Sequence, residues 1–476
     1  MHPLAQKDLK YVWHPFTQMQ DWAKEEPIVI KSGKGAVLKD QHNRSYLDAN
    51  ASIWTNLHGH RHPAIDKAIQ NQLKKIAHSS ALGFANEPAS LLAEQLVKTA
   101  NRPALFKDAG SGYKNPKLGK VFFSDDGSTA LEVALKLAYE HARRSGKGHR
   151  PKFLSIDHAY HGDTIGAVSV GQIDLFHKSF SGLLFSSDKA MSPYCYRCPF
   201  NKAKPERADA RDYRKCNWEC VGKVGQHFEA GQKKKTNYAG FVFEPVVQGV
   251  AGMVGQPEGW LKRVATLARQ AEVPLIADEV MTGFGRTGSI FASHQEGVQP
   301  DFLCLAKGLT GGYLPMAATL TTQAVYENFL GPYDSFKSFF HGHSYTGNQL
   351  GASAALASLG LLKKTGSAPG RRQLQPPVQK SLAPLWKSPF VGDIRQSGLV
   401  AGIELVEDWR TRNPWPIQKQ VGIQICREMA ALGVLTRPIG NVIVLMPPYC
   451  CSETQVHKMT RALTRAIEKV LGSATI

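Results

Sequence analysis

An α/β architecture, with a mostly parallel central sheet in a large domain and a smaller α+β domain beside it, is the fold class this sequence predicts. Three observations carry that expectation. Short runs rich in Val, Ile, Leu and Phe recur without polar alternation, as strands buried on both faces do. Each run closes on a turn containing Gly, Ser or Asp, and several turns lead into a stretch of helical periodicity. At 476 residues the chain is also long for one hydrophobic core, so two or three domains or subdomains are expected.

The elements follow in order. "YVWHPFTQM" places Tyr11, Trp13, His14 and Phe16 near the N-terminus, where exposed aromatics cost solubility, so this segment must be covered or must cover something. "IVIKSGKGAVLKDQHNRSYLDA" reads as short strands with a turn at "DQHNRS". "KVFFSDDGS" leads into the helical "TALEVALKLAYEHARR", "PKFLSID" into "HAYHGD", "YAGFVFEPV" into a Gly-rich loop, and "EVPLIADEV" into "MTGFGRTG". From "VGDIRQSGLVAGIEL" onward the pattern reads as α+β. The boundaries expected are an arm over 1–61 that belongs with the small domain, a large domain over 62–345 and the C-terminal small domain over 346–476.

Composition narrows the function class. Apolar residues make up 42% and charged residues 20%, an ordinary globular balance. No apolar run approaches the roughly 18 residues of a spanning helix, and "MHPLAQKDLK" lacks the apolar stretch of a signal peptide, so a cytoplasmic protein with no membrane partner is expected. The net charge is +19. Eleven Lys and Arg residues fall between Arg197 and Lys235, but five acids interrupt them and others scatter through loops such as "KDAGSGYKNPKLGK". With no nucleic-acid signature beside them, they read as a solvated face, and no nucleic-acid partner is expected.

Of eight cysteines, Cys195, Cys198, Cys216 and Cys220 form C-x2-C and C-x3-C pairs separated by 17 residues, near the spacing of a structural zinc site. Reduced thiols in a surface insertion are the other reading, and the sequence assigns no metal. Cys304, Cys426, Cys450 and Cys451 lie in apolar runs as core thiols.

Parallel sheets gather ligands beyond the carboxyl ends of their strands, and three of these ends carry chemistry. After "VFF", Gly127 allows close backbone approach, and Ser128 opens a helix whose free N–H groups suit a phosphate; an ordinary N-capped helix would look the same. "PLIADEV" ends on Asp278 and Glu279, and a carboxylate there needs a partner, either Arg286 or a protonated heterocycle. "PDFLCLAKGLTGGYLP" carries Lys307, an amine nucleophile if it is held in an apolar pocket. Phosphate cradle, terminal Asp and Lys together are what pyridoxal phosphate needs: a phosphate site, a partner for the ring nitrogen, and an amine for the aldehyde.

On these residues the chain resembles the class III aminotransferases, enzymes of the fold type I pyridoxal-phosphate group, from about Tyr11 to Tyr449. The matching stretches are "WHPFTQM", "DDGS", "AYHGDTIGAVSVG", "EPVVQG", "ADEVMTGFGRTG", "LAKGLTGGYLP", "FFHGHSYTGN" and "TRPIGNVIVLMPPY". "WHPFTQM" and "YHGDTIGAVSVG" are particular to the biotin-pathway branch, which aminates 8-amino-7-oxononanoate to 7,8-diaminononanoate. The resemblance implies that Lys307 bonds the cofactor aldehyde and moves protons, that Asp278 meets the pyridinium nitrogen, and that Gly127 and Ser128 hold the phosphate. It implies that Tyr160 stacks on the ring and borders the substrate, that His343 and Ser344 reach the phosphate of a neighbouring subunit in a homodimer, and that Arg437 meets the substrate carboxylate. Phe16, Ile53, Trp54 and Gly342 fall at its substrate-contact positions.

Several positions depart from the pattern. The branch that uses S-adenosylmethionine as amino donor usually has Tyr at the position of Phe16 and a Trp pair at Ile53 and Trp54; this chain is closer to the branch that uses L-lysine, so lysine is the favoured donor. Asp126 stands where Ser is commoner, near the phosphate. "APGRRQLQPPVQKSLAPLWKSP" lies where relatives continue a helix and reads as a remodelled surface segment, since Pro cannot donate the helical hydrogen bond. The alternatives are a class III ω-aminotransferase for another long-chain amino acid, a mutase or racemase, and a basic non-enzymatic binding protein.

Overall fold

The computed structural model describes residues 1–102, 115–146, 148, 151–171, 173–233, 238–363 and 367–472, with the side chains of 367–372 left aside. The basic loop "KDAGSGYKNPKLGK" therefore falls mostly outside the described residues.

A seven-stranded sheet forms the centre. Its spatial order is Leu118–Ser124, Ala317–Thr322, Phe302–Leu305, Leu275–Asp278, Tyr238–Phe243, Lys152–Ile156, Asp188–Ala190. Six strands run one way, and Ala317–Thr322 runs antiparallel to both neighbours. Every residue of the 238–243, 275–278, 302–305 and 317–322 strands is buried, the cause of their unalternating sequence.

Helix Gly127–Arg144 packs against this sheet, burying Ala130, Leu131, Ala134, Leu135 and Ala138 at the three- and four-residue spacing of one face. Asp126 caps it in a reciprocal box with Thr129, and His141, Arg143 and Arg144 in its last turn complement the dipole.

Two smaller sheets lie at the chain's two ends. Strands Ile30–Lys34, Val37–Asp40 and Ser45–Asp48 form an antiparallel meander that Val434–Leu435 joins, so the N-terminal arm and the C-terminal part share a sheet. Val391–Ser397, Val400–Leu405, Val442–Leu445 and Pro438–Ile439 form the second.

The Pro-rich stretch, which the sequence marks as a remodelled surface segment, stays helical through its prolines. Helix Ser367–Leu382 runs through Pro376 and Pro377, and Leu374, Val378 and Leu382 lie buried in its core-facing row. Burial of that row outweighs the hydrogen bonds the two prolines cannot donate. Among the described residues no helix is long and apolar enough to cross a membrane.

Candidate active site

Parallel neighbours that end at one sheet edge bring Asp278 and Lys307 together. Asp278 closes its strand in register with Cys304 of the next strand, and Lys307 lies three residues beyond that cysteine. Lys307 adopts φ 41°, a left-handed backbone that turns the chain sharply out of the strand. Its Nζ lies 4.7 Å from the centre of the Trp54 ring. The residue keeps some exposure to the cleft, yet the surrounding side chains exclude enough water to lower its ammonium pKa, with Asp278 and Glu244 acting in the opposite direction.

Arg286 is not the partner of Asp278. Asp278 Oδ2 lies 2.7 Å from His161 Nδ1, and Oδ1 accepts the Val280 N–H at 3.0 Å. The fully buried Arg286 instead donates to the carbonyls of Trp54, Asn56 and Pro447. Glu244, at the end of the 238–243 strand, accepts from Gly249 N at 2.7 Å and Tyr160 N at 3.3 Å. Burial pushes its carboxyl up to about 7, and nearby Asp278 adds to the rise. The sequence reading passed over Glu244 and His161. Glu244 carried the same signal as Asp278, an acid closing an apolar run, whereas nothing local marks His161, which reaches Asp278 from 117 residues away.

At the helix start, the Asp126 carboxylate takes the Thr129 N–H at 2.9 Å, so its charge serves as a cap, and the Gly127 and Ser128 N–H groups stay outside the intrahelical ladder. Ser128 Oγ accepts the Asp163 N–H at 2.7 Å, which draws in the loop that carries Tyr160. That approach needs glycine at 162: its φ is +116°, and a Cβ there would stand 1.8 Å from Ser128 Oγ. Tyr160 donates to Asp163 Oδ2 at 2.6 Å, and its ring meets Phe16 and Phe176 edge-on and His177 nearly parallel. Burial raises the Tyr160 phenol pKa, and the Asp163 hydrogen bond adds to that, so the phenol stays protonated.

The opposite wall is unusual. Residues Ala51, Ser52, Ile53 and Trp54 all have φ between 45° and 70°, a left-handed turn closed by Trp54 N to Asn50 O and Thr55 N to Ala51 O, each 2.9 Å. Left-handed backbone costs L-residues roughly 1–2 kcal/mol each, so the surroundings must impose it. Buried Asp48 accepts from Ser52 N and Oγ, Asn50 Oδ1 accepts from Trp54 Nε1, and Arg286 holds the exit carbonyls. Trp54 is thereby buried beside Lys307, while Ile53 is exposed.

The remaining predicted residues lie at the rim. His343 Nδ1 stands 3.5 Å from Asp125 Oδ2 of its own chain, two residues before Gly127, and Gly342 and Ser344 are exposed beside it. Arg437 is exposed at the entry to strand 438–439 and makes no ion pair among the described residues. The structure thus joins Lys307, Asp278, Trp54, Tyr160, Phe16, Gly127 and Ser128 through contacts, and leaves Gly342, Ser344 and Arg437 outside that network. A molecule with a phosphate, a ring nitrogen and an aldehyde fits the joined set: a helix N-terminus with free amides, a buried carboxylate oriented by His161, and an amine that burial biases toward its neutral form.

Comparison with known proteins agrees with this geometry. The family model described as aminotransferase class-III matches residues 18–467. The chain is 43% identical over 468 residues to an adenosylmethionine-8-amino-7-oxononanoate aminotransferase of Geobacter sulfurreducens, covering 98% of this chain and 97% of that one. The crystal structure of the enzyme of that name from Methanocaldococcus jannaschii superimposes with a TM-score of 0.88 at 39% identity, covering 98% and 99% of the two chains. An amine transaminase from an uncultivated Pseudomonas species, in its PLP-bound form, gives a TM-score of 0.86 at 31% identity over 97% and 99%.

Proposed function

The chain belongs to the class-III aminotransferases, and from that premise we propose that it aminates 8-amino-7-oxononanoate to 7,8-diaminononanoate, with pyridoxal 5'-phosphate as cofactor. One observation carries the reading: a Lys307–Asp278 floor at adjacent strand ends, beside a wall of Tyr160, Phe16 and Phe176 that suits an aliphatic acceptor.

When bound, the cofactor supplies an aldehyde that takes up amino groups and a protonated ring that accepts the electron pair left at the donor's α-carbon. Lys307 Nζ, biased toward the neutral amine, would hold the cofactor through its aldehyde carbon, the oxygen leaving as water, and would carry a proton to and from the substrate. Asp278, held by His161, would keep a proton on the cofactor's ring nitrogen. The Gly127 and Ser128 amides, with the positive end of their helix, hold the phosphate. Tyr160 flanks the ring, and Phe16, Ile53, Trp54 and Gly342 border the substrate. Arg437, a forked cation with no ion-pair partner among the described residues, takes the acceptor carboxylate. His343 and Ser344 complete the phosphate site of a second copy, which makes the active unit a homodimer. The working divisions are 1–61 with 346–476 as the small domain, and 62–345 as the large one.

The amino donor is L-lysine or S-adenosylmethionine. Lysine is favoured because Phe16 offers no hydroxyl, and Ile53 no indole, to an adenosyl group. Incubating the enzyme with 8-amino-7-oxononanoate and either donor gives the diamine, faster with lysine. A second reading, an ω-aminotransferase for a different long-chain amino acid, is favoured by the likeness to the amine transaminase. Failure to form diamine with either donor, together with turnover on pyruvate, would select it.

A further inference from the structure

The segment from Cys195 to Cys220 takes no part in the cleft. It lies between strands Asp188–Ala190 and Tyr238–Phe243 and is fastened to the C-terminal sheet. Arg197 donates to Glu404 at 2.6 and 2.9 Å, Arg207 to the Val391 and Ser388 carbonyls at 2.8 and 2.6 Å, and Arg211 to the Gln396 carbonyl at 2.7 Å. These anchors ride on a connection with little regular structure: one turn of 3-10 helix at 195–197 and one helical turn at 210–213 precede the helix that begins at Glu219. Something has to hold that connection in shape.

Its two cysteine pairs face one cavity. Cys195 and Cys198 from one end, and Cys216 and Cys220 from the other, line a single cavity of ≈ 10 Å³ together with Arg214 and Trp218. None of the four is in a disulfide. A space of that size matches about one water-sized sphere, room for a single ion and too little for a cluster of several irons and sulfides. One cation reaches the cysteines directly. Arg214 Nη1 donates to Cys216 Sγ at 3.3 Å, with its guanidinium 4.0 Å above the Trp218 ring. Arg263 covers the same indole at 4.6 Å. The basic balance of this segment, seven cations against four acids between Cys195 and Cys220, has the sign that would offset a doubly negative centre.

We propose that Cys195, Cys198, Cys216 and Cys220 form a tetrathiolate site for one zinc ion, which shapes the segment that ties the C-terminal sheet to the central one. Four sulfur ligands in two short pairs select a tetrahedral, redox-inert cation, and all four positions are filled by protein, so the site is structural. Binding releases four protons to solvent as four thiols become ligands. Among the described residues no group of three or more His, Cys, Asp or Glu side chains stands close enough to hold a metal ion as placed, so the four sulfurs have to move inward across the cavity on binding.

Metal analysis of full-length holoenzyme purified under reducing conditions without chelator tests this. About one zinc per chain is expected, with X-ray absorption showing four sulfurs at about 2.3 Å. The double variant Cys198→Ser, Cys216→Ser should retain less than about a tenth of that zinc, and Cys450→Ser all of it. Zinc-free wild-type protein that takes up none on incubation with zinc chloride overturns the proposal. So does iron with inorganic sulfide in zinc's place, or zinc that survives the double substitution. The wild-type stoichiometry decides the matter even if the double variant fails to fold.

Discussion

The floor and the rim of the cleft are built in opposite ways. The floor is made of strand ends: Asp278 and Glu244 are buried, fixed by hydrogen bonds from His161, Val280, Gly249 and Tyr160, and locked by sheet register. The rim is made of loops: Phe16, Ile53, His343, Ser344 and Arg437 are exposed. The difference separates chemistry from selection. Groups that move protons need fixed positions and altered pKa values, which burial gives; groups that choose a substrate need reach and free bonding capacity, which exposure leaves.

Breaking the floor should cost most. On the proposed roles Lys307→Ala removes nucleophile and proton carrier at once, and diamine formation should fall by at least about 10⁴-fold at every substrate concentration. Turnover with both substrates by that variant would remove the assignment.

The floor should also carry a pH-dependent stability cost. Glu279, next to Asp278, accepts from Ala292 N, Ser293 N and Ser293 Oγ, and burial pushes its carboxyl up to about 7 from 4.5. A carboxyl whose folded pKa is raised holds its proton longer in the folded chain. Stability is therefore lost as pH rises from about 4.5 through about 7, by as much as about 3 kcal/mol for this one group. The melting temperature of Glu279→Gln should gain on that of the parent as pH rises through this window; parallel curves would contradict the shift.

At the rim, effects should fall on binding. Arg437→Leu should raise the acceptor KM by about 10- to 100-fold, the worth of a charged hydrogen bond, with kcat little changed. An equal loss in kcat would move Arg437 to the floor's side of the comparison. Smallest is Phe16→Tyr, which should shift the ratio of lysine to adenosylmethionine turnover by roughly 3- to 10-fold toward the adenosyl donor. An unchanged ratio would deny that position a part in donor choice.

Much of the floor was legible in the sequence because its signals are local. An apolar run that ends on Asp or Lys announces both a buried strand and an expensive charge at its end, and that signal is what singles out Asp278 and Lys307. What escaped is what other segments impose. The direction of Ala317–Thr322 is set by the two strands it lies between, since a fully buried strand has the same composition either way. Helix 367–382 persists through two prolines because of what Leu374, Val378 and Leu382 pack against. Arg286 looked like a salt-bridge partner from its place near Asp278, but its actual work, holding three carbonyls of distant segments, has no sequence signature. The rim residues were reached only through family resemblance, since an exposed Arg or Phe in a loop looks like any other.

The left-handed turn at 51–54 limits how this enzyme's specificity can change over evolutionary time. At Ile53 the backbone, and not only the side chain, is under constraint: φ is 59°, a region that β-branched residues resist more than almost any other. Glycine, and to a lesser degree asparagine, would relax the strain, but either gives up the apolar surface that Ile53 offers at the cleft mouth. An indole at 53 would still have to accept that backbone. A lineage that reshapes this wall is therefore held to changes the turn already tolerates, or must first rebuild the Asp48, Asn50 and Arg286 contacts that hold it. Donor preference in such an enzyme is inherited with its scaffold more than it is tuned residue by residue.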